Sequence, residues 1–277
     1  MKNFCCWFND TMIKVIVVIS LLIFIMFVIF VAGISNSFQA IDVSNKALST
    51  KKIEWGIVRG KNHMQPDLGS ENLRIINEFG GIAMGNKDKK NIYLTFDIGF
   101  EAGYTSKILD ILKENKVTAT FFITGQYVKT SEDLIKRMID EGHIVGNHTV
   151  NHKSMPECSN EKIEEEVMEL HKEIYEKFGY EMKYIRPPKG EYSEASIAYT
   201  NTLGYTTVMW SFAYDDWEEN KQGREEYGKK KIYDNLHNGE IMLLHATSKD
   251  NCNILDEVIK EIKKQGYEFK SLDEFER

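Results

Sequence analysis

The sequence predicts an α/β fold, a distorted (β/α) barrel of about seven parallel strands. From residue 91 onward, short β-branched or aromatic runs alternate with stretches of helical periodicity, separated by Gly, Asn or Ser. Strands that alternate with helices pair in parallel, because each crossover helix returns the chain to the same end of the sheet. An open doubly wound sheet satisfies this order as well as a barrel does.

The positions of polar side chains favour the barrel. Five of them lie at, or just past, the carboxyl ends of different predicted strands: Asp97, His148, Arg186, Asp216 and His245. In a barrel these ends converge on one face, where catalytic groups collect. Packing does not explain polar groups at five separate strand ends, so we expect one functional face, with Asp97 opposite His245 across its mouth.

The predicted elements follow from local pattern. Several helices begin after a Ser, Thr or Asn N-cap and several end at Gly. The predicted strands are "NIYLTFD" (91–97), "TATFFIT" (118–124), "HIVGNH" (143–148), "KYIRPP" (183–188), "TTVMWSFA" (206–213), "EIMLLHA" (240–246) and "YEFKSL" (267–272). The predicted helices span 71–80, 105–115, 131–141, 160–178, 194–204, 226–237 and 254–266.

Composition excludes several classes of protein. The chain has 277 residues, enough to bury a large core. Apolar residues make up 42% and aromatic residues 12%, which is typical of a globular protein and not of a disordered one. The net charge is −7 and there is no basic block, which argues against nucleic acid as the main partner.

The N-terminal region predicts membrane attachment. Residues 15–34 carry no charge, and about 20 residues span the roughly 30 Å hydrocarbon core. A signal-peptide core is normally about 7–15 residues, although Ser35 and Ser37 leave cleavage open. We expect a cytoplasmic tail (1–14), a transmembrane anchor or signal (15–34), a linker (35–54), an N-terminal lead-in packed on the barrel (55–90) and an extracytoplasmic barrel domain (91–277).

The four cysteines fit this topology. Cys5 and Cys6 precede the anchor and would face the reducing cytoplasm. Cys158 and Cys252 would lie outside, where a disulfide is permitted. The spacing resembles no zinc motif, and sequence alone leaves a Cys158–Cys252 bridge open.

Two histidines are candidate metal ligands. In "GNHTVNH", His148 and His152 lie four residues apart, a spacing that lets both imidazoles reach one metal from a helical turn. The alternative is a coincidental surface pair, which is less favoured because the segment follows a strand. His143, at the start of that strand, points away from this rim and is interpreted as structural.

Other side chains could move protons. In "RPPKGEY", Pro187 and Pro188 fix the backbone that carries Arg186. Arg186 is either a surface charge or the partner that holds Asp97 ionised. A carboxylate of "DDW" beside His245 would raise the pKa of that histidine and orient it as a general acid.

The ordered set "TFDIG", "HTVNH", "RPPKG", "DDW" and "LLH" resembles the five motifs of polysaccharide deacetylases, the NodB-homology enzymes of carbohydrate esterase family 4. The lead-in from Trp55, "EAGYT", "RPPKGEYS" and "KKQGYEFKSLDEF" look like the delta-lactam-biosynthetic subgroup of the spore cortex. The similarity covers about residues 55–277 and, as a set, the motifs are specific.

The resemblance implies a distorted barrel and metal-assisted hydrolysis of an N-acetyl amide on a sugar. It implies a general base for the attacking water and a general acid for the departing amine. The roles carried over are Asp97 as base, His148 and His152 as metal ligands, Arg186 as the partner of the base, Asp216 as the acid that tunes the general acid His245, Trp217 and Leu243 as walls of the acetyl pocket, and Lys189 as a substrate-binding residue.

Three positions depart from the family pattern. Ile98 stands where most members have a second aspartate that ligates the metal, so the resemblance implies a divalent metal, zinc, held weakly by two histidines. Glu101 is the nearest oxygen donor and a poor candidate to replace it. Ala213 stands where many relatives have aspartate, and Lys189 where the spore subgroup tends to have arginine.

The expected function is removal of the N-acetyl group of N-acetylmuramic acid in peptidoglycan, leading to muramic δ-lactam during sporulation. The expected partners are glycan strands, the membrane and an amidase that has removed the stem peptide. The alternatives are an N-acetylglucosamine deacetylase, a catalytically impaired wall-glycan-binding protein, and a glycoside hydrolase that pairs Asp97 with Asp215 or Asp216.

Overall fold

The structure is a computed structural model that describes residues 47–277. The predicted tail, the anchor at 15–34, most of the linker, Cys5 and Cys6 lie outside these residues. From residue 47 to the C-terminus, no helix combines the length and apolar character needed to cross a bilayer. Cys158 and Cys252 are both free thiols.

A curled sheet of seven parallel strands forms the centre of the fold. The strands are β2 Asn91–Ile98, β3 Thr120–Ile123, β4 Ile144–Asn147, β5 Tyr184–Ile185, β7 Thr206–Thr207, β8 Glu240–His245 and β9 Glu268–Phe269. A separate antiparallel pair joins β1 Ile53–Glu54 to β6 Glu191–Tyr192. The strand order in the sheet is β7-β5-β4-β3-β2-β8, and β9 pairs with the start of β2.

The open side of the curled sheet is spanned by irregular backbone that follows β7. Val208 forms a parallel bridge to Ile82, and Phe212 forms one to Met242 of β8. The segment from β7 to residue 212 therefore connects one edge of the sheet to the other. The predicted parallel α/β architecture is confirmed, in the form of a curled half-barrel whose open side is spanned by irregular backbone.

The helices cover the outside of the sheet. They are α1 Ser70–Glu78, α2 Thr105–Asn115, α3 Gly125–Thr130, α4 Glu132–Asp140, α5 Asn160–Phe178, α6 Glu194–Thr202, α7 Glu225–Asn235 and α8 Lys249–Lys264. Short 3₁₀ turns occur at Met155–Glu157, Pro188–Gly190, Glu219–Lys221 and Leu272–Glu274. Ser and Thr N-caps at Thr124, Ser159 and Ser248 each accept a backbone N–H and so begin their helices.

Alternation along β2 separates the core from the site. Ile92, Leu94, Phe96 and Ile98 pack in the core cluster that also contains the apolar faces of α2 and α8. The intervening residues point to the other face of the strand, because successive side chains alternate. Asp97 is thereby directed into the barrel and Ile98 into the helix layer.

The lead-in packs against the β6–α6 side of the barrel. Trp55 is buried and its indole N–H donates to the carbonyl of Trp210 at 2.9 Å. Leu68, Ile75 and Ile76 share a second core cluster with Tyr192 and its neighbours. These contacts fix the N-terminal segment beside the segment that carries Lys189.

All seven predicted strands are present, most of them shorter than predicted. The helices predicted at 105–115 and 160–178 have the observed bounds. The structure also contains α3, which has six residues and begins at Gly125, and the β1–β6 pair, neither of which was predicted. Both are too short to show a periodic pattern, so tertiary contacts define them.

Candidate active site

A cavity of about 1120 Å³ opens at the carboxyl ends of the strands. Most of the residues predicted from the motifs line it: Asp97, His148, His152, Lys189, Trp217, Leu243 and His245. The other two, Arg186 and Asp216, are buried behind the lining and contact Asp97 and His245 respectively. The structure therefore brings all nine predicted residues to one site.

Asp97 is held by a fully buried arginine. One Nη of Arg186 donates to Asp97 Oδ1 at 2.8 Å and to Thr95 Oγ1 at 2.9 Å, and its Nε donates to the Val208 carbonyl at 3.1 Å. Burial favours the neutral acid, but the positive charge of Arg186 and its hydrogen bond outweigh this effect, so the pKa of Asp97 lies below its ordinary value. The carboxylate is ionised, with Oδ2 left for the cavity.

The backbone orients His148. Its Nδ1 lies 2.8 Å from the carbonyl oxygen of Arg186, so Nδ1–H donates and Nε2 keeps its lone pair. That Nε2 lies 3.6 Å from Asp97 Oδ2. The His152 ring stands edge-on to it, with 4.8 Å between ring centroids.

The segment between the two histidines is a loop, which corrects the expected helical turn. Thr149 and His152 both have left-handed φ values, 64° and 54°. The backbone N–H of His152 donates to Thr149 Oγ1 at 3.0 Å, which closes the loop and turns the second imidazole back toward the first. Such strain in non-glycine residues is typical of functional loops.

The two histidines fit a divalent cation. Burial lowers the pKa of both, that of His152 to about 4, so the rings are neutral and each offers a lone pair. The carbonyl that fixes the His148 tautomer is the kind of outer contact that metal-ligating histidines make. Between residues 47 and 277 no group of three His, Cys, Asp or Glu side chains is arranged to hold a metal.

Neither nearby position supplies a third ligand. Ile98 is fully buried in the core cluster and does not line the cavity. Glu101 accepts the N–H of Gly103 at 2.6 Å and the hydroxyl of Tyr127 at 3.1 Å, so it shapes the turn before α2. The donor set is two imidazoles beside the Asp97 carboxylate.

A second buried carboxylate controls His245. Asp216 accepts the imidazole Nδ1–H at 2.8 Å through Oδ1 and the backbone N–H of His245 at 2.7 Å through Oδ2. Burial would lower the pKa of His245, but the charge of Asp216 outweighs it and raises that pKa. Because Nδ1–H donates to Asp216, the proton on Nε2 is the one that His245 can donate to a group in the cavity.

The base and the acid are neighbours. Asp97 of β2 and His245 of β8 are register partners on adjacent parallel strands. Side chains at paired positions point to the same face, so both enter the cavity side by side. The predicted arrangement opposite one another across the mouth is wrong. Trp217, 53% exposed, packs edge-on to His245 with 5.7 Å between ring centroids.

Two residues that support the site, Thr95 and Asn251, were not predicted from the sequence. Thr95 lies two positions before Asp97, where strand alternation alone places it on the same face, and it links Arg186 to the Met242 carbonyl. Asn251 donates to Asp216 Oδ2 and accepts the hydroxyl of Tyr214. No local pattern marks Asn251, because it reaches the site from α8. His143 accepts the N–H of Ala119 and is structural, as predicted.

Comparison with known proteins agrees with this geometry. The family model described as polysaccharide deacetylase matches residues 84–208. The peptidoglycan-N-acetylmuramic acid deacetylase PdaA of Bacillus subtilis is 44% identical over 230 residues, which cover 83% of this chain and 88% of the relative. The chain belongs to the polysaccharide deacetylase family. The resemblance inferred from the five motifs is thus confirmed.

Solved structures of other family members share the fold of this polysaccharide deacetylase. The structure of B. subtilis PdaA, described as a family 4 carbohydrate esterase, is 43% identical with a TM-score of 0.80 and covers 82% of this chain and 98% of its own. A family 4 carbohydrate esterase from Bacillus anthracis is 42% identical with a TM-score of 0.71, covering 83% and 98%. A Bacillus cereus peptidoglycan-N-acetylglucosamine deacetylase is 35% identical over 193 residues, 69% of this chain and 90% of the relative.

Proposed function

We propose that this polysaccharide deacetylase hydrolyses the N-acetyl group of N-acetylmuramic acid in peptidoglycan. The observation that carries the proposal is the pair Asp97 and His245, side by side in one cavity with opposite protonation set by Arg186 and Asp216. Amide hydrolysis needs one group that accepts a proton from water and one that donates a proton to the leaving amine. The relation to PdaA supports muramic acid as the sugar.

Asp97 would take the proton of the attacking water. Arg186 keeps the carboxylate ionised through Oδ1, which leaves Oδ2 as the proton acceptor. His245, charged beside Asp216, would donate through Nε2 to the departing amine. Leu243 and Trp217 border the same cavity and would enclose the acetyl methyl group.

His148 and His152 would hold a divalent cation, and zinc is among the metals that neutral imidazoles bind. Such a cation polarises a carbonyl and lowers the pKa of bound water. With Ile98 in the core, the protein contributes two nitrogen donors, and we expect weak binding. Chelation should abolish acetate release and added zinc should restore it.

The same proposal includes a role in the formation of muramic δ-lactam. The amine released from a peptide-free muramic residue can close on its own lactyl carboxyl group, giving muramic δ-lactam. This places the chain after an amidase that removes the stem peptide, in sporulation. It also requires the catalytic domain to lie outside the cytoplasm, held by the apolar segment at 15–34.

Mass spectrometry of purified glycan tests the proposal. Wild type should release acetate from muramic residues, followed by loss of one water as the lactam closes, and Asp97→Asn should release none. Acetate from glucosamine residues alone would favour the activity named for the B. cereus relative. Glycan binding without acetate release would favour an impaired wall-binding protein.

New reducing ends would indicate a glycoside hydrolase. The geometry disfavours that alternative, because Asp97 pairs with Arg186, Asp216 with His245 and Asp215 with Arg224. No carboxyl group of the three is placed as a neutral acid opposite a free carboxylate.

A further inference from the structure

The cavity wall carries four cations: Arg59, Lys129, Lys189 and Lys231. Within residues 47–277 none of the four forms an ion pair with a carboxylate. The two carboxylates of the wall, Asp97 and Asp215, are already paired with Arg186 and Arg224. A protein with a net charge of −7 thus presents uncompensated positive charge at this one cavity.

Arg59 is fixed in place by the barrel. It extends from the lead-in, where Val58 and Asp67 exchange backbone hydrogen bonds. One Nη donates to the Ala213 carbonyl at 2.7 Å, and the guanidinium lies 5.4 Å from the Phe212 ring centroid. A guanidinium has five N–H donors, so most remain for a ligand. These contacts position the guanidinium at the cavity wall.

Lys231 lies on the same wall. Its ammonium is 5.1 Å from the ring centroid of Tyr227, and the Tyr227 hydroxyl donates to Asp215 at 2.7 Å. Arg59 donates to the carbonyl of Ala213, and Lys231 lies over Tyr227, which donates to Asp215. Both cations therefore border the segment that leads to Asp216. Lys189, in contrast, lies on the turn that follows β5.

We propose that Arg59 and Lys231 form a carboxylate subsite that binds the lactyl carboxylate of peptide-free muramic acid. The inference rests on the proposed function and identifies the residues that would select its substrate. Arginine pairs with carboxylates through two parallel hydrogen bonds. A stem peptide turns this carboxylate into a neutral amide, and glucosamine lacks the lactyl group. One subsite would therefore reject both wrong substrates.

Steady-state kinetics on three glycans test the subsite: peptide-free muramyl oligomers, peptide-bearing muramyl oligomers and N-acetylglucosamine oligomers. Arg59→Gln and Lys231→Gln should each lower kcat/KM for the peptide-free glycan about 10- to 100-fold, mainly through KM, the range for losing a charge-assisted contact. The other two substrates should change less than about 3-fold. Arg59→Lys should recover part of the preference.

Matched controls remove a lysine outside the cavity. Lys61→Gln lies in the same segment as Arg59, and Lys230→Gln precedes Lys231 on α7 with its side chain paired to Asp234. Both should keep the wild-type preference. Equal losses on all three glycans, or no loss in Arg59→Gln and Lys231→Gln, would overturn the proposal.

Binding separates this proposal from the proposed function. Calorimetry with Asp97→Asn should show tighter binding of N-acetylmuramic acid than of its methyl ester, and adding Arg59→Gln should remove the difference. If wild type releases no acetate but this preference is found, the subsite stands and the activity fails. If acetate is released while acid and ester bind equally, the subsite fails and the activity stands.

Discussion

At the scale of single residues, Arg186 organises the site. Its guanidinium joins Asp97 and Thr95 of β2 to the Val208 carbonyl, and its carbonyl oxygen fixes the tautomer of His148. It lies 4.3 Å from the Phe122 ring centroid. One side chain and its own backbone thus set both the charge of the base and the orientation of a metal ligand.

Replacing Arg186 with methionine should be costly. The substitution leaves the buried Asp97 carboxylate without its partner, which costs about 3–5 kcal/mol of unfolding free energy. Adding Asp97→Asn should recover part of the loss, since no buried charge then remains. Urea unfolding measures both, and the exposed-pair control Lys230→Met should cost less than about 1 kcal/mol. A double variant as unstable as Arg186→Met would show that the unpaired charge of Asp97 is not the cause of the loss.

The two proton-transfer groups predict the pH dependence of the reaction. Asp97 must be ionised and its pKa is lowered, so activity is lost only at low pH. His245 must be protonated and its pKa is raised above 6.5, so activity is lost as pH rises through the raised value. The profile of kcat/KM should be a broad bell.

The adjacent aspartates in "DDW" sharpen this prediction. Asp216→Asn removes the charge that raises the pKa of His245, so the alkaline limb should move to lower pH and the maximum should fall. Asp215→Asn is the matched control, because Asp215 contacts Arg224 and Tyr227. The pH profile measures both, and equal shifts of the limb would contradict the assignment.

At the scale of elements, the turn after β5 joins the lead-in to the site. Gly190 has φ of 68° and lies against Trp55, and Lys189 beside it also has a left-handed φ of 60°. The backbone N–H of Trp55 donates to the Gly190 carbonyl at 2.9 Å. The position of Lys189 at the cavity therefore depends on a turn that only a small residue permits.

Gly190→Ala tests this dependence. An added Cβ would lie 2.7 Å from the Trp210 ring and 3.1 Å from Trp55 Cβ, in a backbone conformation that disfavours alanine. We expect a loss of about 1–3 kcal/mol in unfolding free energy and a lower kcat/KM. Gly179→Ala is the control, because it also has positive φ but meets no atom within 4 Å. Equal losses would show that φ alone matters.

Long elements were predictable from sequence and short connections were not. The 105–115 helix shows a clear period, and the strand ends place Asp97 and His245 correctly on one face. The loop from His148 to His152 depends on two left-handed residues that carry no sequence signal. The direction of Ile98 follows from strand alternation, but only the packed core shows that nothing replaces it as a ligand.

At the scale of the whole molecule, the two ends of the barrel have different polar contents. The carboxyl end holds the ionised site, and the amino end of β8 holds the fully buried Glu240. Glu240 Oε2 accepts the backbone N–H of His237 at 3.1 Å, while Oε1 has no partner. His237 Nε2 lies 2.8 Å from Ser211 Oγ. Glu240, His237 and Ser211 thus form a buried polar cluster at this end.

Glu240 predicts a pH dependence of stability that is independent of catalysis. Burial raises its pKa well above the ordinary 4.5. A carboxyl group whose folded pKa is raised contributes fully to stability below the unfolded pKa, and that contribution falls as pH rises. Removing the ionisable carboxyl group should therefore increase the free energy of unfolding most at neutral and alkaline pH.

Glu240→Gln keeps the shape of the side chain and removes its charge. The difference in unfolding free energy between Glu240→Gln and wild type should grow in favour of the variant as pH rises from about 4.5 to 8. Glu114→Gln, an exposed glutamate on α2, should show no such trend. Urea unfolding at several pH values measures both. A pH-independent difference would mean that Glu240 is ionised in the folded protein, stabilised by the charge of Arg59 and the His237 N–H.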